Sequence, residues 1–497
     1  MYCWGDSSVL AAAAVSAVRR DPQGTRPPNG ARWVFLTGIT LLAACAARRL
    51  APPSTDIDET AYRTHVSVLA SDDFEGRRPG TNGEAKTLDY LVEQFRKLHL
   101  QPGNGESFLQ QVPLIEIRGA EDAPVSVTGS RGTAHLAYGK DVVTWSGRAT
   151  AQAQLQHSEL VFLGYGIVAP EYAWNDYAGV DVHGKTVVVL ANDPGFSASM
   201  TRYGRWTNKV EEAAQHGASG VLLVHNAAAS GFGWSVVQNT WMSPQLQRAN
   251  RNEGVEPVAI AGWLSADAAR ALFAQAGLDF GSALAAAIRP GFKAMPMGLR
   301  IDASLQNSIR RINSANAVAL LPGSARRREY IIYTAHWDHL GSDPNHTGHS
   351  IYNGAVDNAS GVAGLLALAQ SFARTNPAPD RSVVFLVLTG GESELLGSSY
   401  YVQNPLFPLK ATAAVLNLDS LRSGGPTRDV NVIGYGNTDL EEYAGSAALL
   451  QGRAIIRDPM ARQGEYFRSD SFSFAKAGVP VLYAKGGFDD AARGPAY

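Results

Sequence analysis

The chain has 497 residues, too many for one ordinary core, and with 45% hydrophobic against 18% charged residues it carries material for two or three buried domains. Its 43 basic and 45 acidic side chains leave a formal charge of −2, which excludes an electrostatic footprint for nucleic acid or an anionic membrane surface. Both cysteines, Cys3 and Cys45, stand in the first tenth of the chain, so neither a disulfide framework nor a thiolate zinc site belongs to the folded body. Any metal there must rely on His, Asp and Glu.

In chain order, "RWVFLTGITLLAACAARR" places a basic residue, Arg32, ahead of an apolar run too short to span a bilayer comfortably. Its end, "LAAC", resembles a bacterial lipobox with Cys45 as the lipidated residue, and "RLAPPSTD" then reads as a Pro-rich tether. The stretch Met1 to Ala31 ahead of this segment suggests a start site placed too far upstream. Residues 1–55 are therefore expected to be a signal region and tether, and lipidation at Cys45 is the expected link to a membrane, at a bacterial cell envelope. From Asp56 to Gly103 the pattern is helical, with Leu88, Leu91, Val92, Phe95 and Leu98 on one face. Beyond Pro113 short β-rich runs such as "ELVFLGYGIVA" and "KTVVVLAND" take over. The helix in "NKVEEAAQHGASG" and the strand "VLLVH" complete a compact α/β module. After Leu305 apolar strands ("AVALL", "YIIYT", "SVVFLVL", "AAVLNL", "VPVLYA") alternate with helices, which predicts an α/β sheet covered on both faces.

In such sheets functional groups collect beyond the carboxyl ends of the strands. There the sequence reads "YTAHWDHLG", "NGAVDNASGVAG", "LTGGESELLGS" and "LNLDSL", offering His336 and Asp338, Asp357, Glu392 and Asp419. Asp357 or Asp419 alone could as well be a helix cap. Acids from successive strand ends buried together are costly without compensating cations, so a metal centre is the favoured reading. Imidazole and carboxylates without thiolate suit zinc or a related first-row ion, and two ions would require a bridging carboxylate.

These motifs, with "LASDDFEGRRPGTNGE", "LLGSSYY" and "YFRSDSFSFAKAGVPVLY", resemble the zinc-dependent exopeptidase family that includes bacterial leucyl aminopeptidases and glutamate carboxypeptidase II, in the subgroup with an inserted protease-associated domain. The resemblance implies a three-layer αβα sandwich with a mixed, mostly parallel sheet over 56–120 and 296–497, and an α/β insert over 121–295 that shapes access. It implies a peptide substrate, and one or two zinc ions: His336 and Asp419 on one, Asp357 bridging, Glu392 on the other. Asp338 would orient His336. Trp206, Trp234 and Trp241 of the insert are expected in its core rather than as a substrate platform.

Two departures from the family pattern stand out. Where the family has two adjacent acids, general base then ligand, this chain has Gly391 then Glu392; Glu394 is a distant candidate for the base. The family's last ligand, a His beyond "VPVLYAKGG", has no counterpart before Tyr497. His339, His346 and His349, in a polar loop, are expected to face solvent. The expected function is a metal-dependent exopeptidase impaired by Gly391 at the base position and by the missing His, and a gain of hydrolysis by Gly391→Glu on a chain carrying the further His is the measurement that would mark a decayed enzyme. A non-catalytic peptide-binding protein that keeps one metal is the alternative. No Gly-x-Ser-x-Gly element supports a serine hydrolase. Oligomeric state is not legible.

Overall fold

The computed structural model describes residues 57–120, 124–249, 254–343 and 348–495. Cys45, the tether and His346 lie outside them. The main sheet is built from β1 (Leu109–Gly119), β2 (Gln245–Arg248), β3 (Met295–Leu321), β4 (Arg326–His336), β5 (Arg381–Leu388), β6 (Thr412–Asn417), β7 (Asp429–Ile433), β8 (Ala454–Arg457) and β9 (Val481–Gly486). Their spatial order is β2–β1–β3–β5–β4–β6–β9–β7–β8. The centre, β5–β4–β6–β9, is parallel, while β1 with its two neighbours, β3 with β5, and β7 with β9 pair antiparallel.

The continuous apolar runs of the central strands follow from burial on both faces. On β4, Ile331, Tyr333 and Ala335 enter one core and Ile332 the other; on β5, Val383, Phe385 and Val387 oppose Val384, Leu386 and Leu388. One face is covered by α1 (Glu59–Leu69), α2 (Asn82–Lys97), α3 (Gly361–Ala373) and α5 (Leu440–Leu450), the other by α4 (Leu396–Gln403) and α6 (Ser471–Lys476). Helix α3 is apolar all round and almost wholly buried, as a helix wedged between sheet and outer helices must be. The predicted helical region 56–103 is two helices. Between them a 3-10 segment, Asp72–Arg77, turns back through left-handed residues at Glu75 and Gly76. A Cβ at Gly76 would stand 2.3 Å from Gly341 O, so the close approach of that turn demands glycine. Leu91 and Phe95 are in the core, with Leu88, Val92 and Leu98 packed against it.

A second sheet is built from chain that comes, in sequence, between β1 and the main-sheet part of β3. Its strands Thr186–Leu190, Gly220–Val224 and Ile260–Leu264 are parallel and buried throughout. Trp206 and Trp241 stack edge to face at 5.5 Å in a core shared with Trp145 and Trp263, and the Trp234 indole donates to Gly139 O at 2.8 Å. Strand β3 belongs to both sheets. Residues 295–306 pair with 152–162, and residues 307–317 pair with β1. The expected break at 296 therefore falls inside a strand, and the change of sheet comes at Gln306–Asn307. The second sheet also docks on the first through Arg462, whose guanidinium bonds Asp193 Oδ1 at 2.8 Å. Among the described residues no helix is long and apolar enough to cross a membrane.

Candidate metal centre

Parallel register brings the candidate residues to one edge. His336, the last residue of β4, lies beside Leu388, the last of β5, and Thr334 of β4 pairs with Asn417 of β6, two residues before Asp419. Asp357 comes from the turn Ala355–Ser360 that leads into α3. His336 Nε2 then stands 3.1 Å from Asp357 Oδ1 and 3.5 Å from Asp419 Oδ1. Asp357 Oδ1 is buried, and despite its nearness to the imidazole it has no aligned hydrogen-bond donor. Off-line convergence of two carboxylate oxygens on one ring nitrogen is the geometry of ligands around a common point. A tetrahedral ion with ligands at about 2.0–2.1 Å spaces them roughly 3.3 Å apart, which is the separation found here.

Electrostatics support that reading. Burial alone would lower the His336 pKa, but Asp357 and Asp419 hold it well above the ordinary value. Burial would raise the Asp357 pKa, and the His336 imidazole beside it brings it below the usual range instead. The cluster thus needs positive charge at its centre, supplied by a proton on His336 or by a cation. Asp338, fully buried, is pushed up to about 6 by burial. It touches His336 through its backbone: His336 Nδ1 is 3.1 Å from Asp338 O, whereas the carboxylate oxygen is 3.7 Å away. That carboxylate instead accepts from the amides of Gly391, 2.8 Å, and Glu392, 3.2 Å. Asp338 therefore orients the imidazole with its carbonyl and ties the β5 turn to the β4 end with its side chain.

A second set of groups adjoins the first. His339, Asp357 and Glu392 each present a ligand atom within 4.8 Å of the others, as do His336, Asp357 and Asp419, so Asp357 is common to both sets. The expectation that His339 faces solvent is overturned: its side chain is 14% exposed and bonds Glu392 Oε1 at 2.7 Å. Its loop reads as polar, yet Gly354 packs so closely that a Cβ there would lie 2.5 Å from His339 Cγ. The available signal was the second imidazole three residues after His336. His349 does stand largely exposed, on Asp72.

Gly391 has a structural reason that sequence alone did not show. A Cβ at 391 would be 2.4 Å from His336 Cγ and 2.8 Å from Nδ1, so the imidazole occupies the space a base would need. A side chain introduced at 391 would have to displace that imidazole. Glu394, the other candidate base, pairs at 2.9 Å with Arg205, which precedes the helix Trp206–Gln215.

Arg77 was not singled out from the sequence, because an arginine in "EGRRPG" reads as surface. It is buried, and its guanidinium donates to Trp337 O at 2.9 Å, Asn353 O at 2.6 Å and Gly354 O at 2.9 Å, and also to Leu69 O. One side chain therefore fastens the loop after His336 to the turn before Asp357. Two further buried groups lie close by. Burial pushes Asp470 up to about 7, and the Tyr483 hydroxyl donates to Glu465 at 2.9 Å, within 3.4 Å of Asp419 O.

Residues 316–497 match the family described as Peptidase family M28. A probable zinc metalloprotease of Pyrenophora teres f. teres is 37% identical over 109 residues, which is 22% of this chain and 23% of that protein. The aminopeptidase NAALADL1 of Rattus norvegicus is 28% identical over 138 residues, 26% of this chain and 17% of the relative. The chain thus spans under a quarter of the length of these curated relatives. An aminopeptidase from Aneurinibacillus sp. strain AM-1 shares the fold with a TM-score of 0.50 and 20% identity, over 89% of this chain and 87% of that one. The matches agree with the resemblance carried by the motifs, and the M28 segment contains every side chain of both ligand sets.

Proposed function

We propose that this chain, whose residues 316–497 match peptidase family M28, is a metal-dependent exopeptidase that hydrolyses peptides with zinc at the centre of His336, Asp357 and Asp419. The observation that carries the reading is the convergence of Asp357 Oδ1 and Asp419 Oδ1 on His336 Nε2, with one buried carboxylate oxygen left without a donor. Zinc held there supplies Lewis acidity toward a peptide carbonyl and lowers the pKa of a bound water. The protein's part is placement. Arg77 and Asp338 fix the loops that carry the ligands, and burial of His336 keeps the imidazole in one orientation.

Proton transfer is the weak point of this design. A positioned general base contributes typically about 10²–10⁴ in rate, and position 391 supplies no side chain. We therefore expect turnover slower than that of relatives with an acid there. The same observation supports the second reading, a peptide-binding protein that retains metal without hydrolysis. The sequence run ending at Cys45 supports a lipid-anchored envelope location, testable by whether Cys45→Ser releases the protein from membranes.

The test of function is the purified chain loaded with zinc and assayed on aminoacyl anilides and short peptides. Hydrolysis that chelator abolishes and zinc restores is the expected result. A rate indifferent to chelator would sink the metallopeptidase reading, while stoichiometric zinc without turnover selects the binding protein.

A further inference from the structure

The turn from β5 to α4 carries two successive residues with side chains in the left-handed region, Glu394 and Leu395, each at a φ of 61°. Neither is of the Asn, Asp or His type that enters this region readily, so neighbouring contacts must hold the conformation. Leu395 is held by burial, and the Gly391 and Glu392 amides by the Asp338 carboxylate. Glu394 is held from the side of the second sheet: Arg205 Nη2 bonds its Oε2 at 2.9 Å, and the same guanidinium lies 5.9 Å from the centroid of the Phe472 ring on α6. Arg205 is itself built in. Its side chain is 13% exposed, and the next residue, Trp206, packs on Trp145 and Trp241. The loop leading to it is fastened by Met200 N to Ala461 O and by Asn192 Nδ2 to Arg462 O, both at 3.1 Å. An arginine on so fixed a base loses little further freedom on pairing, which sets it apart from an ordinary surface ion pair.

Resting on the functional reading above, we propose that Arg205 is a positioning residue of the metal centre. Reaching across from the helix Trp206–Gln215, it pins the turn 391–395, so that Gly391 stays against the His336 ring and the Gly391 and Glu392 amides stay on Asp338, whose carbonyl orients that ring. The second sheet and its helices thereby contribute to the affinity of the centre without supplying a ligand or touching the reacting atoms. Glu394, read from the sequence as a distant candidate for the base, is the handle by which the turn is held.

The experiment measures two things on the full chain: zinc affinity, by competition with a chromophoric chelator, and hydrogen exchange across 389–396 in the chelated protein. Arg205→Ala is expected to bind zinc about 10-fold more weakly, the low end of what loss of a supporting contact costs a metal site, and to exchange the turn amides faster. Arg205→Lys keeps the cation and should recover most of the affinity. Glu394→Ala, a truncation on a partly exposed side chain, should match Arg205→Ala and guards against a folding defect in the latter. The double variant should be no weaker than either single one, since all three remove the same pair. Zinc affinity of both alanine variants within about twofold of wild type, or losses that add in full in the double variant, would overturn the proposal while leaving the exopeptidase reading intact. Unchanged exchange across the turn would do the same. No zinc uptake by wild type would remove both.

Discussion

Gly391→Ala isolates the coupling between the β5 turn and the metal ligand. The backbone at 391 does not require glycine, since it is not in the left-handed region; only space does. An added methyl would meet His336 Cγ at 2.4 Å, Cβ at 2.5 Å and Nδ1 at 2.8 Å, against ordinary contacts of 3.4–4 Å, so about 1 Å must be found. The imidazole cannot give it freely. Nδ1 is held at Asp338 O, Nε2 sits between two carboxylates, and the ring is buried. The turn cannot retreat freely either, because the Gly391 amide is bonded to Asp338 Oδ1. Overpacking of this kind costs about 1–3 kcal/mol, and a misplacement near 1 Å of a functional group is worth on the order of 10²-fold. The expected result is a zinc affinity lower by about 10–100-fold, read by competition with a chromophoric chelator, together with a lower urea midpoint. Gly119→Ala, where the nearest atom is 3.7 Å away, is the matched control and should stay within about 0.5 kcal/mol. Wild-type zinc affinity and an unchanged midpoint for Gly391→Ala would refute the argument. Gly391→Glu carries the same methylene, so it should lose metal rather than gain rate.

Three further outcomes follow from particular contacts. Arg77→Met leaves Trp337 O and Asn353 O without their donor; at about 1–3 kcal/mol per stranded buried group the loss should exceed about 2 kcal/mol by urea unfolding, with zinc affinity falling as well. Lys209 is buried, donates to Tyr165 O at 2.6 Å and is pushed down to about 7 by burial. The unfolded chain keeps that proton up to a pH of about 10.4, so the lysine's destabilising contribution is full below pH 7 and is relieved as pH rises, by up to about 1.4 kcal/mol per unit. Lys209→Met should flatten the rise in urea midpoint between pH 7 and 9, and an unchanged slope counts against the account. Arg462→Ala removes the cation from Asp193, whose carboxylate is 0% exposed, and should make the segment 192–205 more sensitive to limited proteolysis without altering zinc uptake.

Much of the centre was legible because its residues sit where apolar strands end. "YIIYTAH", "SVVFLVL" and "AAVLNLD" are runs that only a doubly covered sheet explains, and the first polar residues after them had to fall on one edge. His336 and Asp419 come together on that basis, Asp357 joins them from the turn into α3, and Glu392 joins Asp357 in the adjoining set. His339 was hidden because a loop of polar residues and glycine looks solvated, while its burial depends on Gly354 and Arg77, remote in sequence. Arg77 was hidden for a related reason. An arginine is buried only when backbone carbonyls surround it, and carbonyls leave no mark in a sequence. The role of Gly391 was half visible: the missing acid could be read, but not the imidazole that fills its place.

The shared strand β3 also sets how the molecule can be dissected. Met297, Leu299, Ile301, Ala303 and Leu305 are core residues of the second sheet, carried on the same backbone that pairs with β1 a few residues later. Excising 121–295 would strand those five side chains on a ragged apolar spur with unpaired amides, a template for edge-to-edge association. A minimal catalytic fragment must be cut at the change of sheet, after Gln306, and must also replace the pairing that Gln245–Arg248 gives to β1.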